Sequence, residues 1–425
     1  MSPPSFAERA CWCLFDFANS AFPTIAVTAF GAPYFASVLI GPDGVDLGPV
    51  HLGGTGAWAL SVSLSMIVVT ISSPVMGAIA DRGLKRQLLA LYVAVCVACT
   101  AGLGFLPPRS GVLAMALFAL ANVAFEGAYV FYNAFLPELV PRERIGRLSG
   151  AGWALGYAGG LLALALVRPI VPEDFDTAGA GRGSLVYFVV AAWYLVFALP
   201  TLLVVRDRAA RRDPIGAGAA LRQVWATIKG LRADRSMALF LIAYLLYTDA
   251  LDTTIHFTGI YTREVLAFRP GDLILLFLVL NVIAGPGALV SGMLVDRIGA
   301  RRTILITLVL WCGVIALALA AHDRASFWPS AILAAIVIGA TQAGSRALMA
   351  QLAPRERVAE LMGFLALSGR ASSAFGPLIY GGVAGALADP ASPGSGHRAA
   401  LLAVGALFPI AIAVLWRVDE PSPST

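Results

Sequence analysis

The loops GAIADRGLKR (residues 77–86) and GMLVDRIGARR (residues 292–302) are two copies of one pattern, 215 residues apart along the chain. A second pair repeats at nearly the same interval: PRERIGRLSG (residues 141–150) returns as PRERVAELMG (residues 354–363), 213 residues later. Two copies of a unit of this size account for the whole chain of 425 residues. The sequence therefore predicts two halves built on one plan.

The composition is that of a protein embedded in a membrane. Hydrophobic residues make up 59% of the chain and charged residues 13%, whereas an ordinary soluble protein carries about 25% charged residues. A soluble fold of this length could not cover so much apolar surface with polar side chains. The net charge of +5 comes from basic residues that are dispersed over the loops, which argues against nucleic acid as a partner.

Twelve stretches are apolar enough to cross a bilayer, which takes roughly 20 mostly apolar residues each. The predicted spans are residues 12–39, 56–80, 88–106, 111–138, 147–169, 184–205, 237–262, 271–295, 302–321, 327–351, 361–386 and 399–416. The N-terminal segment MSPPSFAERACW lacks the pattern of a secretory signal peptide, so we expect a mature cytosolic end. The five cysteines lie in or beside these spans and suggest neither disulfides nor a metal site.

Lysine and arginine residues set the orientation of the spans. Most of them lie in the loops on the side that also carries both termini, and the positive-inside rule places that side in the cytoplasm. The predicted organisation is an N-terminal six-helix bundle (residues 1–205), a basic cytoplasmic linker (residues 206–235) and a C-terminal six-helix bundle (residues 236–425). The linker fits either a short amphipathic helix on the membrane or a solvated basic loop.

The paired loops resemble the signature of the major facilitator superfamily, Gly-x-x-x-Asp-Arg followed by basic residues. The matching positions are Gly77, Asp81, Arg82, Gly292, Asp296 and Arg297, and the first copy departs from the signature because Leu84 stands where the family has glycine. The resemblance implies an all-α fold of twelve transmembrane helices in two pseudo-symmetric bundles. It also implies that the two loops latch one side of the molecule across the boundary between the halves; alternatively, their basic residues only set the topology.

Longer motifs resemble a narrower family. WCLFDFANSAF (residues 12–22), FYNAFLPELVPRERIGRLSGAGWALGYAGG (residues 131–160) and SRALMAQLAPRERVAELMGFLALSGRASSAFGPLIYG (residues 345–381) are similar to the fungal vacuolar amino-acid effluxers linked to autophagy and their bacterial relatives. The resemblance implies a secondary active transporter with alternating access and amino-acid export. Protons, an amino acid and the lipid bilayer are then the expected partners, with no cofactor, in a monomer of a bacterial inner membrane.

Polar residues inside the predicted spans are the candidate site residues, because a charge at bilayer depth costs at least ~2.5 kcal/mol. The first span carries Asp16, Asn19 and Ser20 on one helical face. The superfamily resemblance implies that the first, fourth, seventh and tenth spans surround a central cavity. The other candidates in these spans and in the eleventh are Glu126, Tyr129, Asn133, Asp249, Asp252, His256, Gln342, Arg346 and Arg370.

These residue types suggest two chemical roles. A carboxylate that is desolvated in the bilayer can carry a proton. Glu126 is the first choice because its neighbours are mostly apolar. Asp249 and Asp252 are the second, since the repulsion between two close carboxylates favours a proton on one of them, and His256 could extend a relay. Arg346 or Arg370 could bind a carboxylate of the solute.

The alternative to both roles is a set of permanent structural ion pairs, Glu126 with Arg346 or Asp249 with Arg370. Asp16 could also do no more than anchor an interface with Trp12.

Two other functions remain as alternatives. An exporter of drugs or lipids would share the fold but need a larger apolar cavity. A non-transporting receptor or scaffold would need neither charges on the cavity helices nor a duplicated gate loop. The sequence does not predict an enzyme, because its four histidines form no Ser–His–Asp or metal-binding pattern.

Overall fold

The computed structural model describes residues 3–171, 180–208, 213, 215–231, 234–266, 268, 270–372, 375–387, 389 and 394–419. These residues are almost entirely helical, and the prediction of an all-α membrane fold is confirmed. A short antiparallel hairpin of β1 (Val45–Leu47) and β2 (Val50–Leu52) lies between the first two spans, with Val45 opposite Leu52.

Eight helices form the N-terminal half. They are α1 (Phe6–Asn19), α2 (Gly31–Tyr34), α3 (Gly54–Ala80), α4 (Lys85–Phe105), α5 (Gly111–Ala134), α6 (Leu136–Leu139), α7 (Ile145–Val167) and α8 (Ala180–Val204). The first span continues beyond α1 as π-helical turns at Phe22–Ala29 and, after α2, at Phe35–Ile40. Pro23 lies in the first of these stretches and has no N–H to donate, which favours a departure from α-helical bonding there. Single 3₁₀ turns at Arg142–Arg144 and Arg168–Ile170 flank α7.

The linker and the C-terminal half contain the other nine helices. They are α9 (Ala217–Gly230), α10 (Arg235–Leu266), α11 (Pro270–Ile298), α12 (Ala300–Ala320), α13 (Arg324–Leu352), α14 (Val358–Ser372), α15 (Phe375–Ala386), α16 (Ser395–Gly405) and α17 (Leu407–Leu415), with a 3₁₀ turn at Arg355–Arg357 before α14. The linker thus contains the helix that was one of its two predicted forms. Leu221, Trp225 and Ile228 are exposed on α9.

Eleven helical segments of the described residues are long and apolar enough to cross a membrane. The remaining predicted span, residues 361–386, corresponds to α14 and α15, on either side of residues 373 and 374, which lie outside the described part of the chain. The plan of twelve spans is therefore consistent with the structure. Apolar side chains such as Ile67, Ile71 and Val290 are exposed on the outside of the helices, as expected where lipid is the solvent.

The two halves contact each other closely at the end of the bundle where α9 lies, which we call the linker end. There α3 crosses α14 at Gly77, and α7 crosses α11 at Gly146 and Gly292. A methyl group at Gly77 would lie 2.2 Å from the backbone oxygen of Ala359. Small residues allow membrane helices to approach this closely, so glycine at these crossings permits the linker end to close.

Candidate functional site

A cavity of about 190 Å³ lies between the two halves. The helices α5 and α7 of the N-terminal half and α10, α13 and α14 of the C-terminal half contribute to its wall. Seven of the predicted site residues line it: Glu126, Tyr129, Asn133, Asp252, Gln342, Arg346 and Arg370. The cavity therefore combines charged groups from both halves of the chain.

An ion pair between Glu126 and Arg370 crosses this cavity from one half to the other. Nη2 of Arg370 on α14 donates to both carboxylate oxygens of Glu126 on α5, at 2.5 Å each. The Arg370 side chain is 35% exposed and that of Glu126 10%. The other nitrogens of this guanidinium have no hydrogen-bond partner among the described residues, so they remain free to donate to a ligand.

A second ion pair between the halves is fully buried. Nη1 of Arg346 on α13 lies 3.0 Å from Oδ2 of Asp16 on α1, and both side chains are 3% exposed. The same guanidinium donates to the carbonyl and hydroxyl oxygens of Ser149 at 2.6 and 3.0 Å and to Oδ1 of Asn133 at 3.2 Å. The phenolic hydroxyl of Tyr132 donates to Asp16 at 2.9 Å. A buried pair needs such additional bonds to offset the cost of desolvating both charges.

Three aromatic rings enclose the Arg346 guanidinium. Its central carbon lies 5.0 Å from the ring centre of Trp12, 5.7 Å from that of Tyr132 and 5.4 Å from that of Trp153. These distances are within the range of cation–π attraction. With its charge matched and its donors used, Arg346 is a packed structural group, whereas Arg370 is the cation that faces the cavity.

The structure contains ion pairs that differ from those of the alternative interpretation. That alternative paired Glu126 with Arg346 or Asp249 with Arg370, whereas Arg346 pairs with Asp16 and Arg370 pairs with Glu126. The reason is the position of α14, which brings Arg370 beside α5, while α13 turns Arg346 toward α1 and α7. Glu126 therefore lacks the mostly apolar surroundings on which its prediction as proton carrier depended.

The polar face of the first span does not line the cavity. Asp16 is buried behind Arg346, and Ser20 Oγ donates to the backbone oxygen of Asp16 at 2.7 Å. The amide nitrogen of Asn19 is buried without a hydrogen-bond partner among the described residues. Asp16 and Ser20 instead pack against Gly152 and Gly156 of α7. The expectation that this face borders the central cavity is wrong, because α7 lies in between.

The three predicted residues of α10 have different surroundings. Asp252 lines the cavity, whereas Oδ1 of Asp249 accepts from the backbone N–H of Gly376 at 2.8 Å, outside it. His256 is exposed and does not line the cavity either. The two aspartates therefore have different surroundings, although Asp249 still acts on Asp252 electrostatically.

The paired loops make the same contact twice at the linker end. The two oxygens of Asp81 accept from the N–H groups of Ala359 and Glu360, at 2.9 Å each. Those of Asp296 accept from Gly146 and Arg147, at 2.8 and 3.2 Å. Both carboxylates thus lie at the first turn of a helix of the opposite half, where unpaired N–H groups and the helix dipole favour an anion. The glycines and aspartates of the two loops hold the linker end closed.

Two basic residues of the first loop make contacts of their own. Arg82 contacts Gln223 of α9 at 3.4 Å, and Lys85 lies 3.8 Å from Asp81 and 2.5 Å from Glu138. Burial raises the pKa of Asp81 from its ordinary value of 3.8 to about 7, although Lys85 and the two N–H donors lower it.

We expect Gly77→Ala to favour the state that is open at the linker end, because the new methyl group would meet the backbone of Ala359. Overpacking of this kind costs roughly 1–3 kcal/mol, all of it in the closed state. Spin labels at the exposed positions Arg86 and Glu356, in a variant without native cysteines, would report the separation of the halves by their distance distribution.

Gly313→Ala is the matched control for this experiment, because its methyl group would make only an ordinary contact of 3.6 Å with Leu333. A distance distribution that is the same in Gly77→Ala and Gly313→Ala would contradict the role given to Gly77.

Comparisons with known proteins agree with this architecture. The family model described as "Vacuole effluxer Atg22 like" matches residues 6–146 and 141–423. The chain belongs to the Atg22-like vacuole effluxer family. The resemblance inferred from the motifs is thereby confirmed.

Two relatives and one solved structure are similar to this chain over most of its length. The MFS-type transporter YxiO of Bacillus subtilis is 28% identical over 97% of this chain and 95% of its own length. Autophagy-related protein 22 of Yarrowia lipolytica is 25% identical over 76% of this chain and 69% of its own length. The crystal structure of the human organic anion transporter MFSD10 matches with a TM-score of 0.73, at 15% identity, over 97% of this chain and 100% of its own. The chain is an integral membrane protein with the fold of the major facilitator transporters.

Sequence reasoning missed several residues that complete the site of this Atg22-like protein. Ser149 and Trp153 hold Arg346, and Tyr157 donates to Oε1 of Gln342 at 2.9 Å. Glu360 is buried and accepts hydrogen bonds from Gln223 and Thr227 of α9. The internal repeat offers a signal for Glu360. It lies 213 residues after Arg147, which is the interval between the two PRER segments. The backbone N–H groups of both residues donate to a loop aspartate.

Proposed function

We propose that this Atg22-like protein is a secondary active transporter that works by alternating access and exports a small polar or zwitterionic solute, an amino acid, with coupling to protons. In this proposal the linker end is cytoplasmic, since the basic loops lie there, and the protein acts as a monomer in a cell membrane. The observation that carries the proposal is the cavity between the halves, with its exposed Arg370 and carboxylates from both sides.

The charges of the cavity favour a zwitterionic solute. Arg370 is held in place by Glu126 through one nitrogen, and its remaining N–H groups can bind the carboxylate of an amino acid. A carboxylate of the wall can bind the ammonium group. Carboxylates in such a site also carry protons, which supports coupling to a proton gradient.

The closed linker end fits one state of an alternating-access cycle. The contacts of Asp81 and Asp296 with helix ends of the opposite half must separate before the cavity can open at this end. The two ion pairs between the halves, Asp16–Arg346 and Glu126–Arg370, lie further from the linker end than these contacts do. Rocking of the two bundles about this charged centre would expose the cavity to each side in turn.

An exporter of drugs or lipids is the alternative within the fold. A second cavity, of about 140 Å³, lies in the C-terminal half beside Tyr157 and has a mostly apolar wall of residues such as Ile255, Phe257 and Trp311. It is smaller than the charged cavity, whereas lipids and most drugs need a larger apolar site. The charged walls therefore favour a small polar solute.

The proposal is tested with purified protein in liposomes that contain a pH-sensitive dye and a mixture of labelled L-amino acids. A pH gradient is imposed, and amino-acid efflux and internal pH are followed together. We expect efflux of one or more amino acids together with proton movement, and loss of both signals when a protonophore removes the gradient. Protein-free liposomes control for leakage. Absence of flux for every amino acid would contradict amino-acid export, and flux of drugs or labelled lipids instead would support the alternative.

A further inference from the structure

Asp252 is a charged residue of the cavity that belongs to neither of the two ion pairs described above. Glu126 is paired with Arg370 and Asp16 with Arg346. Asp252 lines the same cavity, and within the described part of the chain its carboxylate has neither a hydrogen bond nor an ion pair. The three carboxylates and two guanidiniums of this centre therefore carry one net negative charge when all are ionised.

The charged neighbours of Asp252 do not remove this excess. Arg370 acts on it electrostatically, as do Glu126, Asp249 and His256, but the guanidinium of Arg370 donates to Glu126. Asp249 is a further carboxylate one helical turn away, but it lies outside the cavity, where its oxygen accepts from the N–H group of Gly376. For the centre of three carboxylates and two guanidiniums, a single positive charge at Asp252 would therefore restore neutrality.

We propose that Asp252 binds either a proton or the ammonium group of the solute, one at a time, and that this exchange couples the two fluxes. The inference rests on the proposed function and names the coupling residue within it. When an ammonium group reaches the protonated carboxyl, the proton leaves to water in the cavity and the carboxylate binds the ammonium group through hydrogen bonds. The solute keeps all of its own protons, and no covalent bond of the solute is formed or broken.

Exchange at one carboxylate couples the proton flux to the solute flux, because an uncompensated charge is costly to bury. With a proton or an ammonium group at Asp252, the centre is neutral and the cavity can close around it. With neither, an uncompensated carboxylate would be enclosed between the halves, which is costly within a membrane. The empty, deprotonated carrier is therefore held back from reorientation, and each outward passage of an ammonium group is followed by the return of a proton.

The same helix offers a matched control for Asp252. Asp249 lies three residues earlier on α10, does not line the cavity, and its oxygen accepts a backbone hydrogen bond that asparagine can also accept. Asp249→Asn and Asp252→Asn remove the same charge from the same helix. If the exchange takes place at Asp252, only Asp252→Asn loses the proton release that accompanies binding of the solute.

The experiment measures proton release in weakly buffered detergent solution while three groups of compounds are added to the purified protein. These are the standard L-amino acids, the primary amines that lack their carboxyl groups, and the carboxylic acids that lack their amino groups; calorimetry records binding. We expect wild type and Asp249→Asn to release roughly one proton for each amino acid or amine bound, because the ligand displaces it, and none for the deaminated acids.

We expect Asp252→Asn to release no protons and to bind amines roughly 10- to 100-fold more weakly, as loss of a charge-assisted hydrogen bond predicts. Binding without proton release in wild type, unchanged release in Asp252→Asn, or no binding of any amino acid or amine would overturn the exchange. Amines that bind with proton release while amino acids neither bind nor move in liposomes would leave the exchange in place and contradict amino-acid export.

Discussion

Arg346→Met should lower the free energy of unfolding by about 3–5 kcal/mol, the usual effect of removing one partner of a buried ion pair. The variant leaves the carboxylate of Asp16, which is 3% exposed, without its cation. It also leaves the carbonyl oxygen of Ser149 without its 2.6 Å donor and removes the cation from the rings of Trp12 and Tyr132. The measurement is unfolding in detergent at matched protein concentration, followed by reaction of a thiol-specific dye with the buried cysteines.

A double variant separates the charge from the packing in this experiment. Asp16→Asn with Arg346→Met removes both charges, so most of the lost stability should return, because no uncompensated charge stays buried. Arg346→Lys keeps the charge but loses the planar guanidinium and should fall between wild type and Arg346→Met. If Arg346→Met is as stable as wild type, the pair is not the structural centre described above.

The duplicated loops illustrate how much of the fold the sequence could predict. Gly77 and Asp81 recur as Gly292 and Asp296 at the interval of the whole repeat, and both copies contact helix ends of the opposite half. Such contacts depend on short sequence patterns and on span order, both of which can be read along the chain. The family and the all-α membrane fold followed from the same motifs, and both were confirmed.

The partners of the charged residues could not be predicted in the same way. Which carboxylate meets Arg346 depends on the rotation and depth of four helices, and a shift of one turn moves a side chain by about 5.4 Å. The sequence placed Asp16 in the cavity wall and Glu126 in apolar surroundings, whereas the structure buries Asp16 behind Arg346 and pairs Glu126 with Arg370. Periodicity identifies the face of one helix but not the helix that it faces.

Glu126→Gln should strongly reduce proton-driven transport while leaving the protein folded. The substitution keeps the shape of the side chain but releases Arg370 from its 2.5 Å contacts. The freed guanidinium can then pair with Asp252, which lines the same cavity and already interacts with it electrostatically. Arg370 would then occupy the carboxylate that an ammonium group or a proton needs. Proton-coupled efflux in liposomes should fall by roughly 10- to 100-fold, as loss of one charge-assisted interaction predicts.

Two further variants give this prediction its controls. Glu8→Gln breaks an ion pair of similar chemistry, with Arg208 at 2.9 Å and outside the cavity, and should keep normal coupled efflux. Glu126→Gln with Arg370→Gln removes both members of the cavity pair and leaves Asp252 as the unmatched anion again. The double variant should therefore regain proton release on binding of amines, although it lacks the guanidinium that would hold a solute carboxylate.

The pattern across these variants distinguishes a charge effect from a structural one. If Glu126 only maintains the fold, Glu126→Gln should lose stability in the dye assay, and the second substitution should not restore proton release. If the charge balance of the cavity controls coupling, stability stays near that of wild type, and release is absent in the single variant and present in the double one. The second result requires that coupling depends on an unmatched negative charge at Asp252, and not on the Glu126 side chain itself.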